Sequence, residues 1–198
     1  GAGKTTTMKA ITGSLAAEAG SIEYLGQAIK GQGAWDLVKQ GLAMVPEGRG
    51  IFTRMTITEN LQMGAYIRSD KDGIANDIER MFGIFPRLKE RKDQLAGTMS
   101  GGEQQMLAMA RILRSGARIL LLDEITEGLA PVIVQTLGRV IRALKAKGLT
   151  IVMVEQNFRF AAPLADRHYV IEHGQIVATV NKNELESKSD MLNEYLGV

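Results

Sequence analysis

Residues 1–6 (GAGKTT) have the types and the spacing of the second half of a P-loop, a segment that binds phosphate groups. Small residues let backbone N–H groups curl around phosphate oxygens, and the helix that follows directs its positive dipole end at the same anion. Lys4 would reach the β- and γ-phosphates, and the Thr5 hydroxyl would bind Mg²⁺. We assign nucleotide binding to all six residues: Gly1, Ala2, Gly3, Lys4, Thr5 and Thr6. For this segment alone, a glycine turn that caps a helix is the alternative.

Two carboxylates close an apolar run at residues 119–124 (ILLLDE). The run predicts a buried parallel strand, which delivers both acids at its carboxyl end, where α/β sheets bind ligands. We expect Asp123 to hold Mg²⁺ and Glu124 to polarise an attacking water as general base. Acids at a strand end often only face solvent, but the phosphate-binding segment upstream favours the catalytic interpretation.

A second candidate anion site lies at residues 100–103 (SGGE). Ser100 and Glu103 have the spacing of a capping box, while Gly101 and Gly102 leave N–H groups exposed at a helix N-terminus. Two phosphate-binding helix ends on different lobes imply two nucleotides. We therefore infer a head-to-tail dimer in which each ATP lies between residues 1–6 of one subunit and residues 100–103 of the other. An ordinary capped helix is the alternative for these residues taken alone.

The elements that must position these groups follow from the apolar patterns along the chain. Strands are predicted at 21–25, 42–45, 119–123 and 149–154, and a hairpin at 169–172 and 175–180. Helices are predicted at 34–40, 56–68, 73–82, 101–114, 131–147, 158–165 and 182–196, with a solvated connection at 89–93. We interpret residues 1–198 as a single domain, with an α/β core at 1–50 and 116–198 and a helical subdomain at 51–115.

Composition excludes several classes of function. The 198 residues include no cysteine and two histidines, which rules out thiolate chemistry and zinc sites with several histidines. The sequence has 24 Lys and Arg against 22 Asp and Glu, and the basic residues form no continuous stripe. We therefore expect no nucleic-acid partner. Apolar runs are too short to span a membrane, and no secretory signal is present.

Residues 99–103 (MSGGE) resemble the signature sequence of ATP-binding cassette (ABC) ATPases, usually LSGGQ. The chain is most similar to the LivF type, an ATP-binding subunit of branched-chain amino acid importers. This narrower resemblance is carried by residues 45–49 (VPEGR), 127–131 (EGLAP) and 154–157 (VEQN). The resemblance implies a RecA-like P-loop core with an inserted helical subdomain, and hydrolysis of ATP to ADP and phosphate with Mg²⁺. Importers of urea, amides or other amino acids, and ABC ATPases outside transport, are the alternatives.

The resemblance also implies partners: a second ATPase subunit, identical or related, and two transmembrane permease subunits. A periplasmic binding protein would act indirectly. We expect a peripheral position on the cytoplasmic face of the bacterial inner membrane. Residues 49–54 would dock a cytoplasmic helix of the permease, although Phe52 could equally pack in the core.

Four positions depart from the general ABC pattern. Glu47 stands where most cassettes have a glutamine, and keeps an oxygen for the Mg²⁺ and water region. Gln156 replaces the switch histidine; it can hydrogen-bond a γ-phosphate but does not titrate. Ile125 replaces the usual proline, and Ala130 the usual aspartate. The sequence also begins inside the P-loop motif, from which we expect weak or no ATP binding by a chain starting at Gly1.

Overall fold

The computed structural model of the protein describes residues 2–196. Its strands are β1 Glu23–Tyr24, β2 Gln27–Ala28, β3 Leu42–Val45, β4 Ile119–Asp123, β5 Thr150–Val154, β6 Arg167–Glu172 and β7 Gln175–Asn181. Its α-helices are α1 Lys4–Ile11, α2 Ala34–Lys39, α3 Ile57–Gly64, α4 Lys71–Ile84, α5 Pro86–Glu90, α6 Gly101–Leu113, α7 Pro131–Ala146, α8 Phe158–Ala161 and α9 Ser189–Leu196. Single 3-10 turns lie at Ala96–Thr98 and Lys182–Glu184. No described helix has the length and the hydropathy needed to cross a lipid bilayer.

The central sheet is parallel, in the order β3-β4-β5. Val45 pairs with Leu122, and Asp123 pairs with Val154, so the three strands end at one edge. The apolar run of β4 is fully buried from Leu120 to Leu122, as expected of a strand covered on both faces. The predicted α/β core is confirmed, and the register places the residues after all three strands side by side.

The segment 51–115 is helical, as predicted, but it has no hydrophobic core of its own. One cluster of buried side chains runs from α3, α4 and α6 to the sheet and α7. Met106 and Met109 of α6 lie in this cluster and are buried. The helices of this segment are therefore packed continuously onto the sheet.

Two helices in this segment, α3 and α5, depart most from the sequence prediction. Helix α3 ends at Gly64 rather than near residue 68, and a Cβ at Gly64 would lie 2.2 Å from the Arg111 carbonyl oxygen, so α6 passes directly over its end. Helix α5 occupies part of the predicted connection. Pro86 fits its first turn, where no N–H is needed, and the complete burial of Leu88 supplies the stabilising contact.

The predicted hairpin is confirmed as β6 and β7, joined by His173 and Gly174. Both turn residues have positive φ, +47° and +78°, which suits a two-residue turn between twisted strands. Farther along, only the last part of the predicted terminal helix forms, as α9.

Asn60 of α3 holds the loop that precedes its own helix. Its fully buried side chain accepts a hydrogen bond from Phe52 N at 2.8 Å. It also donates to the carbonyls of Phe52 and Thr56, both at 2.9 Å. The first of these bonds satisfies the Phe52 N–H, and the other two add to the backbone bonds that Met55 N and Asn60 N make to the same carbonyls.

We expect Asn60→Ala to lower the free energy of unfolding by about 3 kcal/mol, because it removes the hydrogen bonds of a fully buried side chain and leaves Phe52 N without its partner. Chemical denaturation measures the change. The matched control is Gln62→Ala, an exposed position two residues along α3, which should change stability by less than about 0.5 kcal/mol. Equal effects of the two substitutions would contradict this role of Asn60.

Candidate nucleotide site

The P-loop residues stand at the start of α1, next to the end of the central sheet. Gly3 adopts φ +90°, a left-handed conformation that only glycine takes without strain, and α1 begins at Lys4. Among the described residues no side chain caps α1, so its first N–H groups keep the capacity to bind an anion. Gly1 lies outside the described residues.

The hairpin turn supports this loop, a contact that the sequence did not indicate. Gly174 N donates to the carbonyl of Ala2 at 3.0 Å. A Cβ at Gly3 would lie 3.4 Å from Gly174 Cα, so the two backbones are in close contact. The residues that shape the loop thus depend on a turn about 170 positions away in the chain.

Asp123 is buried beside the P-loop, at 1% exposure. The Thr5 hydroxyl donates to its Oδ1 at 3.3 Å, while its Oδ2 is buried with no hydrogen-bond partner among the described residues. Burial raises the pKa of Asp123, the Thr5 hydrogen bond opposes this rise, and the charges of Glu124 and Glu47 add to it. A buried carboxylate oxygen that receives no hydrogen bond, next to a hydroxyl oxygen, provides the oxygen ligands that suit a hard divalent cation.

Glu124 follows β4 directly and adopts φ +46°, a strained conformation for a residue with a side chain. Its N–H bonds to the carbonyl of Val154 at 2.9 Å, which fixes the backbone there. Gln156 Nε2 donates to both carboxylate oxygens, at 2.9 and 3.0 Å. Lys4 Nζ lies 3.9 Å from Oε1. The structure therefore brings together three of the predicted site residues around one carboxylate.

Glu47 lies two residues beyond the end of β3 and is exposed. Its carboxylate, with those of Glu124 and Glu127, forms a group whose oxygens lie within 4.8 Å of one another. Motif position predicts Glu47 at this site, whereas no motif indicates a role for Glu127. Three carboxylates this close concentrate negative charge at the strand ends.

The segment 100–103 begins α6 with the predicted capping box. Ser100 Oγ accepts from Glu103 N at 3.4 Å, and Glu103 Oε2 accepts from Ser100 N at 2.9 Å. Ser100 is exposed, whereas Gly102 is buried against α7, where a Cβ would lie 2.7 Å from Ile133 Cγ1. Within the described residues, no hydrogen bond or ion pair joins this segment to the P-loop.

The family model for ABC transporters matches residues 1–127, more than half of the chain. The chain belongs to the ABC transporter family. The predicted family, fold class and ATPase class are thereby confirmed.

Individual members of the family give a closer comparison. BraG of Pseudomonas aeruginosa, a high-affinity branched-chain amino acid transport ATP-binding protein, is 45% identical over 197 residues, covering 100% of this chain and 84% of BraG. A probable branched-chain amino acid transport ATP-binding protein, LivF of Archaeoglobus fulgidus, is 34% identical over 93% of this chain and 78% of its own. A nucleotide-free ATP-binding cassette from an ABC transporter superposes with a TM-score of 0.83 at 23% identity, over 100% of this chain and 84% of that one.

The structure explains the placement of two further residues, Glu155 and Ile125. Glu155 accepts hydrogen bonds from Thr126 N at 3.1 Å and from Thr126 Oγ1 at 2.8 Å, which ties the segment after β4 to the end of β5. Burial raises the pKa of Glu155. The sequence does not indicate this role of Glu155, because its partner is 29 positions away. Ile125, at the position of the usual proline, is 1% exposed and packs in the main core.

We expect Asp123→Asn to raise the free energy of unfolding by about 1 kcal/mol at pH 7.5 without added metal, since it relieves a charge buried at a functional site. The folded state holds the Asp123 proton more tightly than the unfolded chain, so the penalty is present above the folded pKa. It vanishes as the pH falls towards the unfolded value of about 4.

Denaturation with urea at several pH values, in EDTA, measures this change. The exposed Asp93→Asn serves as control and should leave stability nearly unchanged at every pH. A destabilising effect of Asp123→Asn at pH 7.5 would show that burial of the charge is not the dominant effect.

Proposed function

We propose that this chain is the ATP-hydrolysing subunit of an importer of branched-chain amino acids. The observation that carries the proposal is the convergence of Lys4, Glu124 and Gln156, with Thr5 and Asp123 beside them. The cargo is inferred from the relatives described above, BraG and LivF, which are branched-chain amino acid transport ATP-binding proteins. Choice of cargo would lie in other subunits of the transporter.

ATP would bind with its phosphates against the first turn of α1. The backbone of residues 1–6 would surround the phosphate oxygens, and Lys4 would exchange its contact with Glu124 for the β- and γ-phosphates. Thr5 and Asp123 would hold Mg²⁺, with Glu47 nearby, and the partnerless Oδ2 of Asp123 supports that assignment. Bound there, Mg²⁺ would neutralise phosphate charge.

Glu124 would accept a proton from the attacking water. The water oxygen forms a bond to the γ-phosphorus as the bond from that phosphorus to the β–γ bridging oxygen breaks, giving ADP and phosphate. Gln156 fixes the orientation of the Glu124 carboxylate through two hydrogen bonds and can also reach the γ-phosphate. Most of the catalytic effect would come from position and from charge neutralisation by Lys4.

The serine–glycine turn at residues 100–103 would bind the γ-phosphate of a nucleotide held by a second ATPase subunit. The exposure of Ser100 supports this assignment, and so does the lack of bonds between the turn and its own P-loop among the described residues. Glu103 holds the turn through the capping box and is itself paired with Arg91 at 3.4 Å. The second subunit would be a copy of this chain or a sister cassette.

Coupling to transport would use the segment 49–54. Phe52 is 44% exposed and lies under the Arg111 guanidinium, so it is available for contact with a permease and does not pack in the core. Ile51 beside it packs on the core and anchors the segment. The assembly would include two permease subunits and place this chain on the cytoplasmic face of the bacterial inner membrane, with a binding protein acting from the periplasm. Residues 1–50 and 116–198 would form the core, and 51–115 the subdomain that contacts the permeases.

The first test is Glu124→Gln in the natural protein. We expect ATP hydrolysis to fall by about 10²- to 10⁴-fold, because the general base is lost, while ATP-induced dimerisation is retained. Phosphate release and size-exclusion chromatography with ATP measure the two properties. Turnover equal to that of the unmodified protein would remove Glu124 from the role of base.

The second test is Ser100→Arg, introduced into one subunit of a mixed dimer. We expect it to abolish hydrolysis at the site formed with the partner's P-loop and to spare nucleotide binding at its own. Combining Ser100→Arg with Lys4→Ala, in the same or in the opposite subunit, distinguishes a site shared between subunits from a site formed within one subunit. Loss confined to the P-loop of the substituted chain would show that the head-to-tail arrangement is wrong.

A further inference from the structure

The loop after β3 is held in an unusual backbone conformation. Gly48, Arg49 and Gly50 have φ of +79°, +70° and +60°, three left-handed residues in succession. Glycine takes this conformation freely, but Arg49 is strained by it. Such strain persists where surrounding contacts determine the conformation, so the contacts of Arg49 are informative.

The Arg49 side chain reaches the start of α6, 55 positions away. Its Nη1 donates to Gln104 Oε1 at 2.8 Å. Its Nη2 lies 2.8 Å from the position that a Cβ would take on Gly101, so the guanidinium packs on the bare backbone next to Ser100. A larger residue at position 101 would displace this contact.

Gln104 extends the contact to the segment that precedes the turn. Its Nε2 donates to the carbonyls of Ala96 and Met99, at 3.2 and 3.3 Å. A single arginine thus holds both sides of Ser100: the segment before it through Gln104, and the glycine after it directly. A separate bond from Arg111 Nη2 to the carbonyl of Gly50, at 2.6 Å, joins the same loop to α6 nearer its end.

We propose that Arg49 is a positioning residue that fixes the serine–glycine turn relative to the loop carrying Glu47. Arg49 lies two residues from Glu47 in a strained loop and one contact from Ser100. A displacement of the loop that carries Glu47 therefore moves the turn that the same chain offers to its partner's ATP. The inference rests on the proposed function, and it makes Arg49 the link between the two nucleotide sites of the dimer.

This role differs from direct contact with a phosphate. An arginine that binds ATP would raise the KM for ATP when removed, whereas a positioning residue that acts in the closed dimer lowers kcat and leaves KM nearly unchanged. Because Arg49 donates a hydrogen bond to Gln104, substitution of Gln104 removes this contact without changing the charge of the protein.

The experiment measures ATP turnover, its kcat and KM, and the Hill coefficient for ATP, in the natural transporter complex. We expect Arg49→Ala to lower kcat by about tenfold or more, to change KM by less than about twofold and to reduce the Hill coefficient towards 1. Gln104→Leu should have the same effects, and the double variant should be no worse than Arg49→Ala alone.

The matched control is Arg142→Ala, an exposed arginine of α7 without an ion pair in the described part of the chain; its turnover should stay within about twofold. Independent, multiplicative losses in the double variant, or a raised KM with unchanged kcat, would overturn the inference. If Arg49→Ala does not fold, Gln104→Leu alone decides: a lowered kcat with a nearly unchanged KM supports the inference, and unchanged turnover overturns it. No hydrolysis by the unmodified complex would overturn the proposed function as well, whereas normal hydrolysis by Arg49→Ala would overturn the inference alone.

Discussion

The burial of one carboxylate, that of Asp123, is the constraint on which the rest of the site depends. The central strand can bring an acid to the P-loop only by taking it out of water, and this raises the pKa of the acid. One oxygen is satisfied by Thr5 and the other by no described residue. The fold therefore carries an unfavourable group at its centre, which a bound cation would stabilise.

Backbone strain accompanies this group at the same edge of the sheet. Glu124, next to Asp123, has positive φ, and so has Arg49 in the loop after β3. Each is held by bonds to distant parts of the chain: Glu124 to β5 and Gln156, and Arg49 to α6. Strained residues that are secured by long-range contacts are typical of sites that change with ligand state.

The sequence predicted what local pattern determines. The strands of the central sheet, the capped start of α6 and the P-loop at the start of α1 could all be read from apolar runs and short motifs. Helix α5 could not be predicted in this way, because a proline and a charged run are typical of an exposed connection and do not indicate that Leu88 is buried. The end of α3 at Gly64 depends on the passage of α6 above it, which no local signal reports.

The same limit applies to the site. Motif spacing indicated Lys4, Asp123, Glu124 and Gln156, and the structure brings them together, although their individual roles stay predictions. Motif spacing did not indicate the hydrogen bond from Thr126 to Glu155 or the one from Gly174 to Ala2. Those contacts join positions far apart in the chain, and only the packed fold defines them.

The uninterrupted core that joins the helical segment to the sheet has a consequence for folding. Because Leu107, Leu120 and Leu137 belong to a single buried cluster, neither the helices nor the strands can lose structure without exposing apolar surface of the other. The chain should therefore melt in one cooperative transition, and the segment 51–115 excised alone would lack the surface that it packs against.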